Sequence, residues 1–172
     1  PGWLEAMLGA MERHPRAILG AKLLYPPGPD GIHKIQSVGG LYDGAKRPYH
    51  RYIGYHANGK LGNVEEQVAW TTGAALAISR KLWDELGGFD LAYQRGYFED
   101  VDLCERAKRV GTEVWFVPGA CFIHHVGAST AVQSDEEAVK AARFFQHNRT
   151  LFHNRWDSTI QPDVMSIMSP NT

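Results

Sequence analysis

The chain has 172 residues, 44% apolar, 22% charged and 11% aromatic, and its 18 Lys and Arg against 19 Asp and Glu leave a formal net charge of −1. This is the composition of one globular domain, and the near-neutral balance argues against a polyanion-binding surface and hence against nucleic acid as a partner. Two cysteines, Cys104 and Cys121, are too few for a disulfide framework, and the longest unbroken apolar stretch, Ala74 to Ile78, falls far short of the ~20 residues of a membrane span.

The chain opens Pro1-Gly2-Trp3-Leu4 without an initiator methionine and reads at once as helix, the start expected of a piece of something longer. Leu4, Met7, Leu8 and Met11 share one stripe, predicting a helix over Trp3 to His14 closed by Pro15. Ala17 to Tyr25 is a short apolar run read as a buried strand, and this order fits an α/β layer. Pro26 to Gly62 holds eight of the eighteen glycines and four of the nine prolines, with strand character only over Ile35 to Tyr42. Such a stretch is either a binding loop or a surface insertion. Val68 to Ser79 predicts a strand with Gly73 at a bulge or close backbone approach, and Lys81 to Leu86 a short helix stopped by Gly87-Gly88. Asp100 to Val110 predicts a helix ended by Gly111. Glu113 to Val117 and Cys121 to His125 predict two strands parted by Pro118. Ser134 to Glu137 is a capping box opening a long helix to about Trp156. The expected fold class is α/β, a mixed sheet flanked by helices with a long C-terminal helix, as a single domain over residues 1–172.

Three features carry chemistry. At ~100° per residue, Leu103, Cys104, Ala107 and Val110 share one face of the helix after Phe98, with Asp100 in its middle, while Asp102, Glu105, Arg106 and Arg109 point away. An inward carboxylate at a helix N-terminus suits a general base; it equally suits a plain N-cap. In Cys121 to Ser129, strand alternation lets only one of His124 and His125 face Asp100, either as a metal ligand or as a satisfied strand-end histidine. Trp70-Thr71-Thr72-Gly73-Ala74 sets small residues after an aromatic, open to close ligand approach or simply a core strand.

PGWLEAML (1–8), WTTGAALAISRKLWDELGGFD (70–90) and GYFEDVDLCERAKRVGTEVWFVPGACFIHHVGAST (96–130), in that order, resemble the C-terminal half of a family 2 glycosyltransferase of the GT-A fold, rhamnosyl- or galactofuranosyltransferase-like. The resemblance implies an inverting, metal-dependent, nucleotide-sugar-using transferase of cell-wall or polysaccharide biosynthesis. It implies Asp100 as catalytic base, with Glu99 at the acceptor edge, and donor or acceptor binding by Trp70, Thr72, Gly73 and Ala74. In the H-x-x-G-x-S pattern that ends at Ser129, His124 is the implied ligand to Mg²⁺ or Mn²⁺, with His125 in reserve. The implied partners are a nucleotide-diphospho-sugar donor and a glycan or lipid-linked sugar acceptor. The expected location is the cytoplasm, with the inner face of the membrane as the alternative placement.

The resemblance also implies an N-terminal nucleotide-binding half with an Asp-rich metal motif, which is not in this chain. Asp100-Val101-Asp102 belongs to the base motif. The expectation is therefore an acceptor-and-base half with little activity alone and a sheet edge open to homodimerisation. Two rival readings are a non-catalytic carbohydrate- or partner-binding module, with Trp70, Trp115, Tyr93 and Tyr97 as stacking residues, and a zinc site of Cys104, Cys121, His124 and His125. In the last helix, Lys140, Arg143, Arg149 and Arg155 interleave with Phe144, Phe145, Phe152 and Trp156. This pattern fits peripheral membrane contact or aromatics packed on the core.

Overall fold

A computed structural model describes residues 2–125 and 134–163; Gly127 and Ser129 of the histidine pattern lie outside the described residues. Two parallel strands form the centre, Ile18–Leu24 (β1) beside Val114–Ile123 (β7). Alternation along β1 sends Ile18 to one face and Leu19 and Ala21 to the other. Leu19 and Ala21 meet Val117, Ala120 and the buried Met7 and Ala10 of helix α1 (Trp3–Arg13). Ile18, Val114 and Phe116 join a larger core on the opposite face, with Leu103 and Ala107 of α3 (Glu99–Arg109) and Phe152 and Trp156 of α4 (Asp135–Trp156).

Pro118 does not divide β7 into two strands. The register passes from Ala21 against Val117 to Lys22 against Cys121, so residues 118–120 bulge out of the ladder. The missing proline N–H thus falls where the sheet asks for no donor.

The glycine- and proline-rich stretch is built into the fold. Ile35–Ser37 (β2) pairs antiparallel with β1, and Gly40–Tyr42 (β3) forms a hairpin with Pro48–His50 (β4). Ile35, Val38 and Tyr42 are all buried, which removes the surface-insertion alternative. Val68 to Ser79 is not one strand. Glu66–Gln67 (β5) pairs with β7, a 3-10 turn covers Gly73–Ala75, and Leu76–Ala77 (β6) shares the outer edge of β1 with β2. Thr72 Oγ1 accepts from Ala74 N at 3.3 Å and so starts the turn. This segment crosses β1 at Gly20, where a Cβ would sit 1.9 Å from Thr71 Oγ1. Helix α2 (Arg80–Leu86) is capped by Ser79, whose Oγ accepts from Leu82 N at 3.2 Å.

Helix α3 departs from its expected polarity. Asp102 is completely buried and Glu105 is 6% exposed, whereas Val110 is 44% exposed. The supposed outer face lies against α4 and the Tyr42 hairpin. Asp102 Oδ1 accepts from Tyr93 Oη at 3.0 Å, Trp156 Nε1 at 2.9 Å and Arg155 Nη1 at 2.8 Å, and its Oδ2 accepts from Arg106 Nε at 2.7 Å. Glu105 accepts from the Tyr42 hydroxyl at 2.5 Å. A helical wheel sorts side chains by polarity; these two carboxylates are buried because their donors are buried with them.

Candidate active site

The site begins with a strained loop. Arg95, Gly96, Tyr97 and Phe98 have φ of 60°, 101°, 74° and 74°, four successive left-handed residues of which only one is glycine. Non-glycine residues in that region cost of order 1–3 kcal/mol each and persist only where the surroundings over-determine them. Asn148, wholly buried on α4, supplies that determination. Its Nδ2 donates to the carbonyls of Gln94 (2.9 Å), Gly96 (2.9 Å) and Tyr97 (3.1 Å), and its Oδ1 accepts from Gln94 N at 2.9 Å. The loop then delivers Glu99 and Asp100 as the first residues of α3.

Asp100 is half-buried. Its Oδ2 accepts from Gly73 N at 2.9 Å and its Oδ1 from Val101 N at 2.8 Å, so two backbone N–H groups orient the carboxylate against the 3-10 turn. Glu99 is also half-buried, and its Oε2 is sealed from solvent with no hydrogen-bond partner among the described residues. Burial first, and the neighbouring Asp100 second, raise the Glu99 carboxyl above the ordinary carboxylate range. Gly73 and Ala74 are exposed and Thr72 half-buried, so the turn presents backbone beside Asp100.

Trp70 is 4% exposed and its indole N–H donates to Leu41 O at 3.1 Å. A Cβ at Gly40 would sit 1.9 Å from the Trp70 ring, so the strand runs flat against the indole. What Trp70 offers is a support for His50, whose ring lies 4.9 Å away and tilted by 56°. His50 Nδ1 is 3.0 Å from Ser37 Oγ. Burial lowers the His50 pKa, while the charge of Asp100 pulls it the other way. His50 is therefore an imidazole close enough to feel the Asp100 charge.

His124 lies beyond the turn. The half-buried residue lines an open cavity of about 490 Å³ together with Leu8, Met11, Ala74, Leu76 and Phe122. Its Nδ1 is 2.6 Å from Gln36 Oε1, its carbonyl accepts from Gln36 Nε2 at 3.0 Å, and its N–H donates to Leu24 O at 2.9 Å. His125 is exposed. Among the described residues no three His, Cys, Asp or Glu side chains converge on one point. The described residues thus bring His124 and His125 as single imidazoles and no assembled cation site.

Comparison with known proteins decides the family. Residues 44–152 match the family model described as glycosyltransferase like family 2. The chain belongs to glycosyltransferase-like family 2. The match encloses Trp70, the turn at Gly73, Asp100 and Asn148. The chain is 33% identical over 137 residues to an N-acetylglucosaminyl-diphospho-decaprenol L-rhamnosyltransferase of Mycobacterium tuberculosis, covering 76% of this chain and 44% of the relative. It is 29% identical over 140 residues to the O-antigen biosynthesis protein RfbC of Myxococcus xanthus, covering 80% of this chain and 11% of that protein. The crystal structure of GalNAc-T7 with UDP, GalNAc and Mn²⁺ superposes with a TM-score of 0.52 at 15% identity, over 93% of this chain and 32% of that one. That likeness shows the fold, an α/β arrangement of GT-A type. The chain spans less than half the length of the curated relatives it matches.

Other expectations for this family 2 chain need correction. Cys104 is buried with its thiol directed at Thr71 O, and Cys121 is exposed on β7, so the supposed zinc ligands do not assemble. Tyr93 is core, its hydroxyl committed to Asp102, and Trp115 stacks on His14 at 3.9 Å; Tyr97, 55% exposed, stays open. In α4, Phe152 and Trp156 are fully buried and Arg155 pairs with Asp90 and Asp102, so its last turns are core. No helix among the described residues is long and apolar enough to cross a membrane. His50, Gln36 and Asn148 carry no local sequence signal, because each acts through partners distant in sequence.

Proposed function

We propose that this chain is the acceptor-and-base part of an inverting glycosyltransferase that takes its sugar from a nucleotide-diphospho-sugar and delivers it to a glycan or lipid-linked sugar hydroxyl, with Asp100 as general base. The observation that carries the reading is the Asp100 carboxylate, pinned by the Gly73 N–H at the head of α3 and half-open to solvent, inside the region matched to the family. A base must hold a fixed direction and keep a lone pair free. Each carboxylate oxygen accepts one backbone N–H and retains another lone pair.

In the reaction the acceptor hydroxyl donates its hydrogen bond to Asp100. Its oxygen attacks the anomeric carbon and its proton passes to the carboxylate. The bond from that carbon to the diphosphate oxygen breaks, the electron pair leaving with the nucleoside diphosphate, and the configuration inverts. Glu99 and His50 flank the hydroxyl and orient it, while the turn at Thr72, Gly73 and Ala74 brings backbone close to the sugar. Mg²⁺ or Mn²⁺, when bound, neutralises charge on the departing diphosphate, and His124 is the side chain that would face it. The support from relatives is the decaprenol-linked substrate in the name of the rhamnosyltransferase and the UDP and Mn²⁺ held in the GalNAc-T7 crystal structure.

The test is Asp100→Asn in the whole protein, assayed with nucleotide-sugar and lipid-linked acceptor. Asn keeps an oxygen for the Gly73 N–H but is no base. Turnover should fall ~10²–10⁴-fold with the acceptor KM little changed; activity within a few-fold of the parent sinks the assignment.

A further inference from the structure

The geometry points to Gln36 as a positioning residue that sets the tautomer of His124, leaving Nε2 as a bare lone pair. This rests on the reading of His124 as the cation-facing imidazole.

Gln36 is 5% exposed on β2, and its amide makes two contacts with one residue. One amide atom lies 3.0 Å from the His124 carbonyl oxygen and the other 2.6 Å from His124 Nδ1. A backbone carbonyl can only accept, so the amide atom facing it must be the NH₂ nitrogen. The opposite orientation would set two oxygens against each other with no hydrogen between them. The carboxamide oxygen therefore faces Nδ1, and that oxygen too can only accept. Nδ1 must carry the hydrogen, and a neutral imidazole with a proton on Nδ1 has none on Nε2. The His124 N–H, donated to Leu24 O, fixes the backbone from which the ring hangs.

The consequence is chemical. With Nε2–H, the ring would offer an approaching cation a hydrogen instead of a lone pair. With Nδ1–H it presents a donor lone pair, the state required of a histidine ligand, and the same hydrogen bond locks the ring's rotation. Gln36 touches neither substrate nor cation and acts only through His124.

The experiment uses the chain labelled with ¹⁵N-histidine, in long-range ¹H–¹⁵N spectra recorded above the imidazole titration, with the His124 signals assigned by their loss in H124N. The parent should show a protonated Nδ1 and the large downfield ¹⁵N shift of a bare Nε2. In Gln36→Leu the proton should move toward Nε2. A parent His124 carrying its proton on Nε2 overturns the proposal, as does Gln36→Leu with the tautomer unchanged. The parent spectrum needs no variant, so a poorly folding Gln36→Leu does not blunt the test. Adding Mn²⁺ with UDP separates the two readings. A bare Nε2 whose signals Mn²⁺ fails to broaden rejects His124 as ligand while the Gln36 assignment stands.

Discussion

Asp100 and Asp102 lie two residues apart on one helix, and substitution to Asn should separate them sharply. Asp102 is wholly buried and accepts from Arg155 Nη1 at 2.8 Å and Arg106 Nε at 2.7 Å, besides the hydroxyl of Tyr93 and the indole of Trp156. The carboxamide of Asp102→Asn would keep an oxygen for the two neutral donors but turn an NH₂ group toward a guanidinium. The bond from Arg106 to Oδ2 is lost and the bond from Arg155 to Oδ1 loses its charge assistance, against ~1.5–3 kcal/mol for each charged hydrogen bond. Arg106 and Arg155 are 22% and 32% exposed, so water recovers part, and the net destabilisation should be about 3–4 kcal/mol, near the lower end for breaking a buried pair. With an m-value of ~2 kcal/mol/M, the urea midpoint should fall by ~1.5–2 M. The assay is urea unfolding followed by circular dichroism and tryptophan fluorescence, whose transitions must coincide for the comparison to hold. Asp100→Asn keeps an oxygen for the Gly73 N–H and gives up the one hydrogen bond from Val101 N, a loss of ~0.5–1.5 kcal/mol, so its midpoint should fall by no more than ~0.7 M. An Asp102→Asn midpoint within ~0.5 M of the parent, a loss of no more than ~1 kcal/mol, would refute the buried-hub reasoning.

Three further outcomes follow from the same geometry. Asn148→Ala strips the loop at 94–98 of its buried side-chain partner in α4, so hydrogen exchange of the Gln94 amide should accelerate and stability fall by ~2–3 kcal/mol, the cost of buried groups left unpaired. Because burial raises the Glu99 carboxyl, the folded chain binds this proton more tightly than the unfolded chain. The contribution is present in full below the ordinary carboxylate value of ~4.3 and is lost as pH rises through the folded value. Glu99→Gln should therefore be more stable than the parent at neutral pH, the gap closing as pH falls toward the ordinary carboxylate range; urea midpoints taken from mildly acidic to mildly basic pH check it. The Cys104 thiol, pushed up to about 12 by burial and hydrogen-bonded to Thr71 O, should resist alkylation in the native chain, while exposed Cys121 reacts. Thiol titration should count one group without urea and two with it.

Much was legible in the sequence. The stripe of Leu4, Met7, Leu8 and Met11, the capping box at Ser134 and the glycine after Val110 place α1, α4 and the end of α3 within a residue or so, because these signals are local and act within one turn of helix. The ordered motifs named the family and the α/β fold. The tertiary structure decided what depends on partners far along the chain. Pro118 became a bulge rather than a break because β1 offered a register that steps over it. Asp102 became core rather than surface because Tyr93, Arg155 and Trp156 arrive with donors. Asn148 and Gln36 acquired roles because backbone carbonyls 54 and 88 residues away in sequence need the donors they carry. Periodicity reports only whether a side chain prefers oil or water; whether a polar group can be buried depends on the hydrogen bonds waiting for it, and those exist only once distant segments have met.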